Sequence, residues 1–209
     1  MEYFCVDFDF LFEDIYGDFV ADFFRVLEAF GLSFKAGFRD GSGKTLPELI
    51  DIFQEQLMAR RDFKDKYYQL LFSLEGFSDL RAYWSVHYSG ARFTIIICEE
   101  DFVDTSAAGS QKNTAQKNRR AMDKIKALAE YVWEKTSVRC IQTAWEWSDV
   151  PSIYEDIRDR NERPQVEPFA ILPASDYPAM TASITKSLSK NGIVVEDESG
   201  WNCAMWILV

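Results

Sequence analysis

The chain opens with a strict two-residue alternation. Residues Tyr3 to Phe10 place Phe4, Val6, Phe8 and Phe10 on one side and Asp7 and Asp9 on the other. Only an extended strand puts alternate residues on opposite faces, so this segment is committed to a sheet with one apolar face to bury. Few arrangements cover such a face. A strand this aromatic needs helices or a second sheet laid over it, which requires a chain long enough for a substantial core. The chain has 209 residues, 47% hydrophobic and 15% aromatic, so the material for that core is present.

The rest of the chain supplies the covering elements. Ile15, Phe19, Phe23, Val26, Leu27 and Phe30 have the spacing of one helical stripe, closed by Gly31. Leu32 to Phe38 reads as a short strand, and a second helix begins near Thr45 with Leu49, Ile52, Phe53 and Leu57 on its inner face. Three strand-like runs follow, Tyr67 to Leu74, Leu80 to Tyr88 and Arg92 to Cys98, with Ser89-Gly90 as a tight hairpin turn between the last two. The run at 103–118, VDTSAAGSQKNTAQKN, is almost without large apolar groups and reads as a mobile loop or boundary between lobes 1–102 and 119–209 of a single domain. Beyond it come a helix from Asn118 to Lys135, a strand from Val138 to Trp147 and a short helix from Pro151 to Arg160. A strand from Val166 to Leu172 follows, then a helix from Pro178 to Ser189 ended by Asn191-Gly192, and two closing strands. Helices mixed with hairpin-linked strands make the expected class α+β, with largely antiparallel pairing.

Charge excludes several functions. There are 34 acidic against 23 basic side chains, a formal net charge of −11. Nucleic-acid binding and attachment to anionic membranes both rest on clustered Lys and Arg, so neither is expected. No apolar run approaches the roughly 18 residues of a membrane span. The start, MEYFCVDFDF, lacks a basic n-region and is not read as a signal peptide. Cys5, Cys98, Cys140 and Cys203 form no C-x-x-C pair and are expected as reduced thiols in a cytoplasmic protein.

Three motifs carry candidate chemistry. Gly41-Ser42-Gly43-Lys44-Thr45 ends like a phosphate-binding loop, but the glycine required five residues before Gly43 is replaced by Phe38. The competing reading is a helix start, with Thr45 as N-cap, Glu48 completing a capping box and Pro47 in the first turn. Asp7 and Asp9 have the spacing of the carboxylate pair in phosphotransferases of the haloacid dehalogenase type, and a carboxylate pair suits Mg²⁺. The glycine and threonine that follow such a pair are here Phe10 and Leu11, so the plain reading is the solvent face of an amphipathic strand. His87 is the sole histidine, which leaves no room for histidine-based zinc chemistry and no partner for a nucleophile elbow. No cofactor is expected, and an enzyme acting on a phosphorylated small molecule through Asp7/Asp9 or Gly41–Thr45 stands as the alternative function.

Acidic side chains mark the candidate binding surface. Residues 1–30 hold eight acids against one base, with Asp14, Asp18 and Asp22 at four-residue spacing. Like charges so placed repel along a helix unless it begins near Asp18, where the macrodipole offsets them. A second patch spans 144–167, with Trp145 and Trp147 on one strand face and Glu155, Asp159 and Glu162 on a helical stripe, relieved by Asp156–Arg160 and Asp159–Arg163 pairs. Asp14, Asp18, Asp22, Trp145, Trp147, Glu155 and Asp159 are the candidate partner contacts. A basic cluster of Arg119, Arg120, Lys124 and Lys126 offers a counterpatch, within the molecule or in a homodimer.

The elements VADFFRVLEAF, DGSGKTLPELIDIF, LRAYWSVHYSGARFTIII and AWEW give a layout that resembles the small acidic immunity proteins of bacterial toxin systems, over half to two-thirds of the chain. The resemblance implies a cytoplasmic, non-catalytic α+β protein that binds and blocks a cognate toxin, a basic one such as a nuclease being suited to this charge.

Overall fold

The computed structural model describes residues 3–61, 63, 66–102, 111–146, 151–177 and 183–197, with the backbone alone over 111–118. The alternating segment forms β1 (Tyr3–Leu11), hydrogen-bonded antiparallel on one side to β5 (Gly90–Cys98) and on the other to β6 (Cys140–Trp145). Around it lie β2 (Ser33–Arg39), β3 (Tyr68–Ser73), β4 (Leu80–Val86), β7 (Phe169–Pro173), β8 (Ser183–Ser187) and β9 (Gly192–Glu196). The order across the single nine-stranded sheet is β2-β3-β4-β5-β1-β6-β7-β9-β8, and neighbouring strands are antiparallel. The fold is α+β, as the sequence indicates. Strands from both halves of the chain meet at β1, so one sheet runs through the two segments that composition separates.

Three helices, α1 (Phe19–Phe30), α2 (Leu46–Met58) and α3 (Gln111–Lys135), bury their apolar stripes against one face of this sheet. Phe4, Val6, Phe8 and Phe10 of β1 are at most 1% exposed there. Phe23 of α1 is the hub. Its ring lies 5.4 Å from Phe10, 5.3 Å from Trp84 and 5.0 Å from Phe93, all near edge-to-face. Such pairs add to the large apolar area each ring removes from water. The opposite face carries a smaller cluster over β6, β7 and β9, where α4 (Tyr154–Arg160) lays Tyr154 and Ile157 on Cys140, Ala170, Leu172, Ile193 and Val195.

Local chemistry explains most boundaries. α2 starts at a complete capping box: the Thr45 amide donates to Glu48 Oε2 at 2.7 Å, and the Glu48 amide donates to Thr45 Oγ1 at 3.5 Å. The helix-start reading of Gly41–Thr45 is therefore what the backbone adopts. Gly90 follows the β4–β5 turn, and a Cβ there would run into the Phe10 carbonyl oxygen, so the close approach to β1 requires glycine.

Two expectations are corrected. Residues 183–187 are a strand, not part of a helix over 178–189; residues 178–182 lie outside the described residues. Lys190 and Asn191 both adopt left-handed backbone, with φ of 56° each, so Asn191-Gly192 turns a hairpin between β8 and β9 instead of stopping a helix. α3 begins at Gln111, seven residues before the expected Asn118, because QKNTAQKN is polar yet contains good helix formers in Gln, Lys and Ala. The second half of the supposed loop is thus helical, and its first half, 103–110, lies outside the described residues.

Truncating Phe23 to alanine removes the hub of this aromatic cluster and is expected to cost about 3–5 kcal/mol, measured by urea unfolding. A loss below about 1 kcal/mol would show that the cluster is not the core.

Candidate functional site

The two acidic segments, some 130 residues apart in sequence, meet at one end of the sheet. Where β1 ends, residues Phe12–Asp14 form a short 3₁₀ turn that carries Glu13 and Asp14 outward. The Phe12 amide donates to the Ser89 carbonyl at 3.1 Å, tying this turn to the β4–β5 hairpin. Tyr88, at the tip of that hairpin, donates its hydroxyl to Asp156 of α4 at 2.6 Å. That bond, chiefly, holds the Tyr88 phenol up at about 12. Three shallow grooves lie along this rim; the two beside α4 share Tyr88, Ser89 and Glu155, and the third lies on the α1 side of Asp14. One of about 260 Å³ is lined by Asp14, Tyr16, Asp22 and Lys135. The next, about 250 Å³, has Glu13, Arg60, Tyr88 and Glu155, and the last, about 340 Å³, has Tyr88, Glu155, Asp159 and Arg160.

Most rim acids already hold a cation. Arg139, at the start of β6, donates from Nε and NH2 to the two Asp14 oxygens at 2.7 Å each. Asp22 pairs with Arg25 on α1. On α4, Arg160 reaches Asp156 at 3.2 Å, while Arg158 donates to Asp159 at 2.6 and 2.8 Å. The expected Asp156–Arg160 pair is present, but Arg158, rather than Arg163, grips Asp159. α1 begins at Phe19 with Asp18 at its N-cap position, so Asp14, Asp18 and Asp22 do not form a helical stripe. Only Asp22 lies within the helix, in the first turn, where the macrodipole favours it.

The one tryptophan of the expected patch among the described residues does not reach the surface. Trp145 is 2% exposed and packs 5.0 Å from Phe4 and 6.0 Å from Phe102, which makes it a core residue. Trp147 lies outside the described residues. The aromatic groups that the rim does present are Tyr16, 73% exposed, and Tyr88, 63% exposed. Their flanking residues, Ile15 and Gly17 for one and His87 and Ser89 for the other, gave no pattern by which to single them out.

Beneath the rim, the structure overturns the reading of Asp7 and Asp9 as a solvent face. They are 5% and 1% exposed. The register places Arg92 opposite Asp9 and Thr94 opposite Asp7 on β5. Arg92 donates to both Asp9 oxygens, at 2.7 and 3.0 Å, and its NH1 lies 3.7 Å from Asp7. Its remaining donors go to the carbonyls of Pro151 and Ser152 at 3.2 and 3.0 Å. Gln142 of β6 donates to Asp9 at 3.3 Å and to the same Ser152 carbonyl at 2.7 Å. The segment that leads into α4 is thereby fastened over the two aspartates, which is why this face is buried. Thr94 donates to Asp7 at 2.5 Å.

One guanidinium cannot fully neutralise two buried carboxylates. Burial pushes Asp7 up to about 6, opposed by Arg92 and the Thr94 hydroxyl and reinforced by Asp9. Burial works against the Arg92 charge, but Asp9, through charge and hydrogen bonds, and Asp7 more than compensate, so it stays protonated. The thiols nearby are inert: burial, then Asp7, pushes Cys5 up to about 12, and burial holds Cys140 well above its usual value. Burial lowers His87. Among the described residues, no three or more His, Cys, Asp or Glu side chains converge as a metal site would, and no helix is long and apolar enough to cross a membrane. No family model matches this chain, and no curated protein matches it in sequence.

The folded protein holds the Asp7 proton more tightly than the unfolded chain, whose usual value is 3.8. The associated stability is complete below pH 3.8 and is lost as pH rises through about 6. Compared with Asp7→Asn, which cannot titrate, the wild type is expected to lose about 2 kcal/mol between pH 4 and pH 7. Denaturant titrations of both proteins across that range measure the difference; a gap independent of pH would contradict a buried, proton-binding Asp7.

Proposed function

We propose that this chain is a non-enzymatic binding protein of the immunity type, acting in the cytoplasm to capture and neutralise a basic toxin domain through its acidic rim. The observation that supports the reading is the convergence of the two acidic segments at one end of the sheet, where Glu13 and Glu155 line the same groove and exposed Tyr16 and Tyr88 stand in the neighbouring grooves. Tyrosine supplies large contact area with little entropy to lose, and it is enriched among the residues that dominate protein interfaces. The net charge of −11 gives a long-range field that draws in a cationic partner.

Because the rim acids are largely paired with their own arginines, steering comes from the summed field and tight holding from the aromatic anchors. The two contributions separate kinetically. The test immobilises the proteins encoded by the genes flanking this one and measures association and dissociation with the one that binds; no binding by any of them would count against the reading. Reversing Asp18, Asp22, Glu155 and Asp159 to lysine is expected to slow association at least ~10-fold at low salt and far less at high salt. Tyr16→Ala and Tyr88→Ala are each expected to speed dissociation about 10-fold, equivalent to about 1.4 kcal/mol, with association nearly unchanged. Association by the four-lysine variant at the wild-type rate, with the wild-type salt dependence, would exclude the rim.

A further inference from the structure

One arginine stands beside two buried carboxylates on the outer face of the sheet, and it does not serve them equally. Arg92 gives Nε and NH2 to the two Asp9 oxygens at 2.7 and 3.0 Å. Its NH1 donates to the Pro151 carbonyl at 3.2 Å and lies 3.7 Å from Asp7 Oδ2, too far for a hydrogen bond. Asp7 is thus held by the Thr94 hydroxyl at one oxygen and only by the charge of the arginine at the other. The other groups around it add no second cation. Cys5 and Asp9 lie on its own strand, Arg92 and Thr94 on β5 and Tyr83 on β4; β6 brings Cys140 and Gln142, the latter paired with Asp7 in the ladder.

We propose that the proton on Asp7 controls how firmly the segment at 151–152, and with it α4, is fastened to the sheet. With the proton in place, Asp7 makes no claim on the guanidinium, and Arg92 serves Asp9 and the two carbonyls of the segment together. Without it, the buried cluster holds two negative charges against one positive, which a low-dielectric site disfavours. The contact that improves this balance is NH1 on Asp7 Oδ2, and NH1 is the donor committed to Pro151. Closing that gap to hydrogen-bond length draws NH1 from the carbonyl. Lifting the segment instead admits water to the carboxylate. Both relieve Asp7 by loosening the same fastening. Asp7 is also the member of the cluster poised to change charge near neutrality: burial pushes it up to about 6. Burial holds the Cys5 and Cys140 thiols and the Tyr83 phenol above their usual values, so these stay neutral there. A proton bound more tightly in the fastened state favours that state in acid, and the advantage is lost as pH rises through about 6. α4 carries Glu155, Asp156 and Asp159, so the proton sets the order of that part of the rim. The control acts within the chain alone, whether or not the rim takes a toxin.

Backbone hydrogen exchange of residues 154–160, each rate divided by its intrinsic rate at that pH, tests the proposal between about pH 5 and about pH 8. A fastened Asp7 that titrates at about 6 and a released one at the ordinary 3.8 differ in proton uptake, so opening of α4 is expected to become about 10-fold more frequent over that range. In Asp7→Asn, which keeps an acceptor for Thr94 but carries no charge, the same amides are expected to change less than about 2-fold. His87, which faces Asp9, Arg92, Glu155 and Asp156, is present in both proteins, so its own titration cancels in the comparison. Thr94→Val leaves Asp7 in place and tests the link independently. It removes the hydroxyl that favours the ionised carboxyl, so the rise in opening is expected to extend to higher pH, following the Asp7 carboxyl midpoint read by carbon-13 NMR. Three results would each overturn the proposal: equal pH dependence in wild type and Asp7→Asn, a rise that does not follow the Asp7 midpoint in Thr94→Val, or amides of 154–160 that never exchange faster than those of α1.

Discussion

The arrangement depends on one buried ion pair. Asp9 and Arg92 face each other across the β1–β5 ladder, and Arg92 uses its remaining donors on the carbonyls of Pro151 and Ser152. A buried pair of this kind is weak evidence for stability, since desolvating two charges cancels most of their attraction. Its contribution here is placement. Two backbone carbonyls on the far side of the sheet can satisfy that guanidinium only if the chain at 151–152 lies flat over β1, and α4 follows directly. That fastening, with the packing of Tyr154 and Ile157 and the Tyr88–Asp156 bond, fixes Glu155, Asp156 and Asp159 relative to Glu13, Asp14 and Tyr16.

The sheet consequently has one fully covered face and one divided face. Helices α1, α2 and α3 bury the aromatic side of β1 completely. On the other side, apolar residues of β7 and β9 take α4, the charge cluster takes the segment before it, and no helix among the described residues lies over β2 to β4. The regions differ in chemistry: the end of β1 carries an acidic, tyrosine-bearing rim, while the outer face of β2 to β4 carries Arg81 and the Lys35–Asp79 pair. Asp7 is buried beside this cluster, and its raised affinity for a proton comes chiefly from burial, with Arg92 and the Thr94 hydroxyl opposing it and Asp9 adding to it.

Periodic features were legible in the sequence because they are local. The alternation of β1, the stripe of α1, the capping box at Thr45–Glu48 and the β4–β5 hairpin each need only a few neighbouring residues, and all are present. What covers a strand is not local. Alternation showed that Asp7 and Asp9 share a side but not that a segment 140 residues later would cover it, and the signal available, a lone Arg92 in the aliphatic run of β5, acquires meaning only once the register is known. Trp145 illustrates the same limit: the strand was legible, but its two faces were indistinguishable until Phe4 and Phe102 closed on one of them. At Asn191-Gly192 the competing principle won, because the same dipeptide ends helices and turns hairpins. The exposed tyrosines of the rim belong to turns with no repeating pattern, and so had no periodic signal.

The central claim is that the Asp9–Arg92 pair positions α4, and hydrogen exchange of backbone amides tests it most directly. In the triple variant Asp7→Asn, Asp9→Asn and Arg92→Gln, the carbonyls of Pro151 and Ser152 lose their guanidinium donors while neither carboxylate of the cluster is left buried without its cation. The account predicts that amides of residues 154–160 lose protection at least ~10-fold while those of α1 keep theirs, the signature of local rather than global opening. Unchanged protection in 154–160, or an equal loss in α1 and α4, would contradict it.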